Sequence, residues 1–254
     1  MTFDDHRWEG YVDAFHAASP GITEHVLGRA RAEGTDPYRW CAAALGRTGE
    51  LVADVACGSG PLAAHLPRWV GVDTSAAELD AAAARGRSPV ARADVLELPL
   101  ATRSLDAVVC SMGLQVTEPL PDVLAEIARV LRPGGRFVAL LPATRPLDGV
   151  SARVYLRLQA ALQRRIAYPN ARLLRHGSIG RLAAEHGLTI TSDERRAFRL
   201  ALRSAADARE LLASLYLPEI TQDRLDRAQA VLDRRLGYAL AIPLRRLVMQ
   251  RSTR

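Results

Sequence analysis

Residues 51 to 63 read Leu51-Val52-Ala53-Asp54-Val55-Ala56-Cys57-Gly58-Ser59-Gly60-Pro61-Leu62-Ala63. The apolar run from Leu51 to Ala56 has strand character. It breaks into Cys57-Gly58-Ser59-Gly60, after which an apolar helical pattern is expected. Glycines in such a turn let the backbone approach a ligand where a Cβ would collide. The start of the next helix presents free N–H groups to whatever lies there. Asp54 sharpens the reading, because a carboxylate in a buried strand is costly unless it is paired. Near the strand's end it could serve a cationic partner, directly or through the loop.

Two ligand classes suit this arrangement. Gly58-x-Gly60-x-x-Ala63 satisfies the loose pattern of a dinucleotide site, which is weak on its own. The alternative is S-adenosylmethionine, which carries an ammonium group at one end and a nucleoside at the other. Asp54 favours the second, since a pyrophosphate gains nothing from a nearby negative charge.

Two further carboxylates fall at strand ends. Trp69-Val70-Gly71-Val72 reads as a second strand ended by Asp73, 19 residues after Asp54. That is close to the roughly 20-residue interval at which a carboxylate meets ribose hydroxyls. Pro89-Val90-Ala91-Arg92-Ala93 reads as a third strand ended by Asp94, placed to meet an exocyclic amine. Each has a plainer reading: Asp73 as a cap for the helix starting near Ser75, and Asp94 as a turn residue. Three such residues at successive strand ends weigh against the plainer reading for all of them together.

With these residues assembled, the chain resembles the class I S-adenosylmethionine-dependent methyltransferases, in the small-molecule branch related to quinone and biotin-pathway methyltransferases. The resemblance runs through Asp54–Gly60, Gly71-Val72-Asp73-Thr74-Ser75, Ala93-Asp94-Val95-Leu96-Glu97-Leu98-Pro99, Ser104–Ser111 and Glu126–Phe137. It covers about residues 50 to 141, and the outer parts match weakly. One departure is Ala56, where the family usually has its first glycine; the loop is expected to keep its shape. The resemblance implies a doubly wound, seven-stranded, mostly parallel sheet with strand seven antiparallel. It assigns cofactor contacts to Asp54, Ala56, Cys57, Gly58, Ser59, Gly60, Asp73, Thr74, Asp94, Val95 and Ser111.

At 254 residues the chain can be one domain with a substantial core. We expect an N-terminal helical lid over 1–47, a cofactor-binding core over 48–141, and cap helices with the last strands over 142–254. No apolar run reaches the ~18 residues of a membrane span, and the acidic N-terminus lacks the apolar region of a signal peptide. Cys41, Cys57 and Cys110 are an odd, widely spaced set, which predicts neither a metal site nor a disulfide framework. The cytoplasm is the expected location. The net charge of +6 comes with no lysine at all, so every basic residue counted is arginine. The arginines read as dispersed among carboxylates with no long basic block, which argues against a nucleic-acid partner.

Helices are expected at 3–18, 22–33 and 37–45, the third starting after a cap at Thr35-Asp36. Further helices are expected at 75–85 and 119–131, with strands at 105–110 and 137–141. Beyond Pro142 helices are expected at 150–166, 179–186, 204–215 and 222–236. A sixth strand starts over 188–191, and a seventh spans about 239–249 and holds Pro243, which an edge position would tolerate.

Methyl transfer from a sulfonium is an in-line displacement that needs alignment and water exclusion more than a catalytic triad, and no triad is visible. The expected acceptor is a small metabolite, with secondary-metabolite intermediates among the candidates. It would be methylated on oxygen, nitrogen or carbon. After the fourth strand there is no Asn/Asp-Pro-Pro-Tyr/Phe motif of the kind amino-methylating enzymes carry. Gln115 could bind substrate or cap local backbone. As candidate bases we single out His16, near Tyr11 and Phe15 in the N-terminal helix, and His176, before Gly177-Ser178. Tyr11, Phe15, Gln115, Tyr155 and Tyr168 are candidate acceptor contacts, although a surface or packing role is the plainer reading of any one histidine, and core packing that of Tyr155 and Tyr168. The rival readings are an RNA methyltransferase, a cyclase that uses the bound sulfonium only as a charge, and a regulatory protein that retains the pocket.

Overall fold

The computed structural model describes residues 5–45 and 50–253, apart from the side chains of residues 5–7 and His176. The chain opens with α1 (Asp5–Ala18), α2 (Ile22–Leu27) and α3 (Pro37–Ala42). The Asp36 side chain accepts from the Arg39 N–H at 2.9 Å, and Pro37 fills the first helical position, so α3 starts where the cap predicted. The second helix is much shorter than the expected 22–33.

The sheet begins with β1 (Val52–Val55) and β2 (Trp69–Asp73). It continues through β3 (Val90–Arg92), β4 (Leu105–Ser111), β5 (Leu131–Pro142), β6 (Leu188–Ala201) and β7 (Ala239–Arg251). The strand order is β3-β2-β1-β4-β5-β7-β6. All pairs from β3 through β5 are parallel, and β7 is antiparallel to both of its neighbours. Side chains alternate between two apolar layers. Val52, Ala107 and Val109 face a layer shared with α2, α3, α6 (Gly149–Leu162), α8 (Ala205–Ala213) and α9 (Gln222–Asp233). Ala53, Val55, Val108 and Cys110 face α5 (Leu120–Val130) and α7 (His176–Glu185). This two-sided burial explains why β4 is apolar without interruption.

Two expectations need correcting. The segment after the glycine turn forms only a 3₁₀ turn, Pro61–His65. Pro67 pushes Leu66 into an extended conformation (φ −127°, ψ 117°), and no α-helix can propagate through it. β6 starts at Leu188 as expected and runs on to Ala201. β7 is internal, not an edge. Pro243 is tolerated there because its carbonyl accepts from the Ala143 N–H, just past the end of β5. In an antiparallel strand a residue turns its N and O to the same neighbour, so the missing proline N–H faces the place where β5 has already ended.

The α4 helix (Ala76–Ala84) begins at Ser75, whose hydroxyl accepts from the Glu78 N–H. Ser75-x-x-Glu78 reads as a capping box, yet the Glu78 carboxylate turns away from the cap and into the molecule. That turn shapes the site.

Candidate functional site

The carboxyl ends of β1, β2 and β4 open on a cleft walled by Ala56, Cys57, Gly58, Ser59, Asp73, Thr74 and Ser111, with His16, Glu78 and Tyr216 across it. Each part has a local cause. Gly58 takes φ +54° and Gly60 +72°, and Ala56 is itself left-handed at +52°. An L-residue there carries strain of about 1–2 kcal/mol, so the loop keeps the glycine conformation without the glycine. At Gly113, after β4, an added Cβ would sit 2.6 Å from the Ala56 Cβ and 2.9 Å from the Cys110 Sγ. The loops after β1 and β4 thus meet closer than any side chain allows.

Asp73 ends β2 and ties this loop to α4. Its Oδ2 accepts from the Gly58 N–H at 2.7 Å and its Oδ1 from the Ser75 N–H at 2.9 Å. Burial raises its pKa above the ordinary carboxylate value against the pull of these two donors. Each oxygen keeps acceptor capacity for a ligand. Ser59 is braced from behind. Its hydroxyl donates to Glu24 at 2.7 Å, and Arg87 binds both Glu24 and the Ser59 carbonyl. Ser111 lines the cleft, and its buried hydroxyl has no hydrogen-bond partner within the protein.

Asp54 does not reach the cleft. It points into the layer beneath the loop, 1% exposed, where the Trp69 indole N–H donates to its Oδ2 at 3.1 Å. Burial pushes its pKa up to about 7, the indole lowers it and the Asp73 charge raises it. Of the two expected routes to a cationic partner, direct or through the loop, this sealed position under the loop suits the second. Asp94 is exposed, outside the cleft wall, and accepts from the Leu96 N–H at 2.9 Å in its own turn, while Val95 is buried beside it. Gly60 lies behind the wall, with the Trp69 ring 3.1 Å from where its Cβ would be.

From the N-terminal helix, His16 reaches into the cleft. Its Nδ1 is 2.7 Å from Glu78 Oε1 and its Nε2 is 2.9 Å from the Tyr216 hydroxyl. Glu78 Oε2 also accepts from the Gly21 N–H at 2.9 Å, so one carboxylate holds the ends of two N-terminal elements. Phe15 packs against Tyr216 at 4.7 Å between ring centres, with Tyr11 and Tyr168 at 6.3 and 6.2 Å. The Tyr11 hydroxyl accepts from the Leu217 N–H. Tyr155 donates to the Ala241 carbonyl, and Gln115 donates through Nε2 to the Met112 carbonyl while its buried Oε1 has no partner. His176 opens α7, and its side chain lies outside the described residues. Glu78 and Tyr216 were not anticipated. Glu78 was disguised as a cap residue, and Tyr216 lies 200 residues from His16 with no local motif around it.

A methyltransferase domain model matches residues 53–139. The seven-stranded order, with β7 reversed beside β5, is the mostly parallel sheet with an antiparallel last strand that the resemblance implied. The chain is 36% identical over 122 residues to a 2-phytyl-1,4-naphthoquinone methyltransferase of Synechococcus elongatus, covering 42% of this chain and 51% of that one. It is 39% identical over 111 residues to a demethylmenaquinone methyltransferase of Mycolicibacterium paratuberculosis, covering 42% and 47%. The chain thus spans about half the length of these curated relatives. Among solved structures it is similar in fold to the 4+2 cyclase SpnF, at TM-score 0.60 and 20% identity over 96% of both chains. Among the described residues no side-chain cluster suits a metal ion, and no helix is long and apolar enough to cross a membrane.

Proposed function

We propose that this protein transfers a methyl group from S-adenosylmethionine to a small, planar, quinone-type acceptor. The observation that carries this is the junction of Asp73 with Gly58 at the mouth of the cleft, 2.7 Å from donor to acceptor. It sets a carboxylate with spare acceptor capacity beside a loop without a side chain. The unpartnered Ser111 hydroxyl on the facing loop is a second free polar group for the same ligand. These residues fit an adenosyl cofactor: Asp73 toward ribose hydroxyls, and the Gly58 loop and Ser111 along the chain that bears the sulfonium. When bound, the cofactor supplies an electrophilic methyl group.

The protein's own contribution is alignment, exclusion of water and removal of a proton. Proximity alone can supply effective molarities of ~10⁵–10⁸ M in favourable cases. We assign His16 as the base. The Glu78 carboxylate can only accept, so it fixes the imidazole proton on Nδ1 and leaves the Nε2 lone pair toward the cleft. An acceptor hydroxyl that displaces the Tyr216 phenol from Nε2 would meet a base already oriented. Tyr216, with Phe15 and Tyr168 packed against it, offers a planar acceptor an apolar face at the cleft. The names of the quinone methyltransferases to which the core is similar support this acceptor class; a secondary-metabolite intermediate of the same planar chemistry would suit the same walls.

The same fold can host other chemistry, and the test separates the cases. The protein is incubated with S-adenosylmethionine and a panel of naphthoquinols, and the products are read by mass spectrometry. A mass gain of one methylene, with S-adenosylhomocysteine formed in equal amount, is expected. Product formed without cofactor consumption supports the cyclase reading. Methyl incorporated into RNA, with binding that falls steeply as salt rises, supports the RNA reading.

A further inference from the structure

The expected dispersal of arginines among carboxylates fails over one segment of the chain. Residues 143–184 hold eight arginines and one carboxylate, Asp148. The rest of the chain holds 26 arginines against 27 carboxylates, and no lysine occurs anywhere. The whole net positive charge therefore comes from one 42-residue stretch, although the arginines within it are too spaced to form a basic block. A coding bias toward arginine would act along the entire chain and does not remove carboxylates from one segment only.

The structure shows what this stretch presents. Helix α6 buries Val154, Leu158 and Leu162 in the apolar layer it shares with α9. Its opposite face carries Val150, Arg153, Leu156, Arg157 and Ala160, all exposed, at helical spacing and without a carboxylate. Leu156 is 67% exposed, the most exposed large apolar side chain among the described residues. Among the described residues none of Arg153, Arg157, Arg165, Arg172 and Arg175 takes part in an ion pair. Asp148 is already committed to Arg199 and Tyr238.

We propose that the outer face of α6, with the arginines that follow it, docks this protein on an anionic lipid surface. Arginines set among exposed aliphatic side chains match a headgroup layer on both counts: charge on the phosphates, and Val150 and Leu156 in the shallow acyl boundary. Nucleic acid matches on one count only. It gains nothing from Leu156, and the segment's two tyrosines are turned inward, Tyr155 to the Ala241 carbonyl and Tyr168 to Tyr216, so neither offers a base a surface for stacking. The inference deepens the proposed function, since an apolar acceptor would be drawn from such a surface. The docking itself needs no acceptor.

The test is sedimentation of the full chain with large vesicles, without cofactor or acceptor. Equal parts phosphatidylglycerol and phosphatidylcholine are compared with phosphatidylcholine alone. Each arginine at an anionic surface strengthens partitioning about fivefold, so the anionic vesicles are expected to bind at least tenfold more tightly, with binding falling as salt rises. Arg153→Glu/Arg157→Glu is expected to weaken it at least tenfold and Leu156→Asp severalfold. Arg103→Glu, at the amino end of β4 and outside the segment, is expected to leave it unchanged. Melting curves check that each variant is folded, and the comparison of wild type on the two lipids decides the matter independently of any variant. Equal binding to both vesicles, binding to neither, no loss in the double variant, or binding to an oligonucleotide without binding to vesicles each overturns the proposal. Methyl transfer that survives without vesicle binding would overturn the docking and leave the proposed function standing.

Discussion

His16 stands between Glu78 and Tyr216, its two ring nitrogens 2.7 Å and 2.9 Å from a carboxylate and a phenol that lie 62 and 200 residues away. The contact fastens the N-terminal helix over the cleft and fixes the imidazole tautomer in one arrangement.

If His16 Nε2 is the base, His16→Gln should lower kcat by on the order of 10²–10⁴-fold, with cofactor binding nearly unchanged. Tyr216→Phe removes only the group that occupies Nε2 and should cost less than tenfold. Release of S-adenosylhomocysteine by both variants measures this. Equal losses would make Tyr216 a participant rather than a placeholder.

Ala56 and Gly113 are expected to be energetically coupled. Ala56→Gly relieves a left-handed alanine at the cost of a more flexible unfolded chain, for a net gain of up to about 1 kcal/mol. Gly113→Ala drives a methyl into the Ala56 Cβ and the Cys110 Sγ and should cost about 1–3 kcal/mol. In the double variant one of those two obstacles is gone, so the cost should be less than additive. Denaturant unfolding of all four proteins measures the cycle, and strict additivity would show that the loops separate freely.

Asp54 should make the protein less stable as pH rises from 4 to 7. Its carboxyl titrates near 7 when folded and at the ordinary carboxylate value when unfolded, so between the two the native state holds the extra proton. The penalty is absent below the unfolded value, grows through this window to about 4 kcal/mol, and is constant above it. Asp54→Asn retains an acceptor for Trp69 and removes the titration. Its melting advantage over wild type should widen from pH 4 to 7 and then stay level. A constant advantage at every pH would place the Asp54 pKa near that of an exposed carboxylate.

The fold was legible wherever local chemistry and tertiary pairing agree. The turn at Cys57–Gly60, the aspartate closing β2, and the apolar run of β4 each state their own structure. Ser192 to Arg196 do not. These polar residues are extended because β7 pairs with them, and nothing in their own pattern demands it. Pro243 misled for the same reason, since its tolerance depends on where β5 ends. In the site, the loop and Asp73 could be read from motif and spacing. Glu78 could not, because Ser75 three residues before it supplies a complete local explanation. Tyr216 joins the site only through folding of the region after α8.

The most direct measurement is titration calorimetry with S-adenosylhomocysteine, on wild type and on Asp73→Ala, with melting curves to separate loss of the Gly58 anchor from loss of the ligand contact. The account predicts binding to wild type. It predicts weakening by ~2–4 kcal/mol in the variant, the worth of two hydrogen bonds to a charged acceptor. Binding of NADH with none of S-adenosylhomocysteine would contradict it.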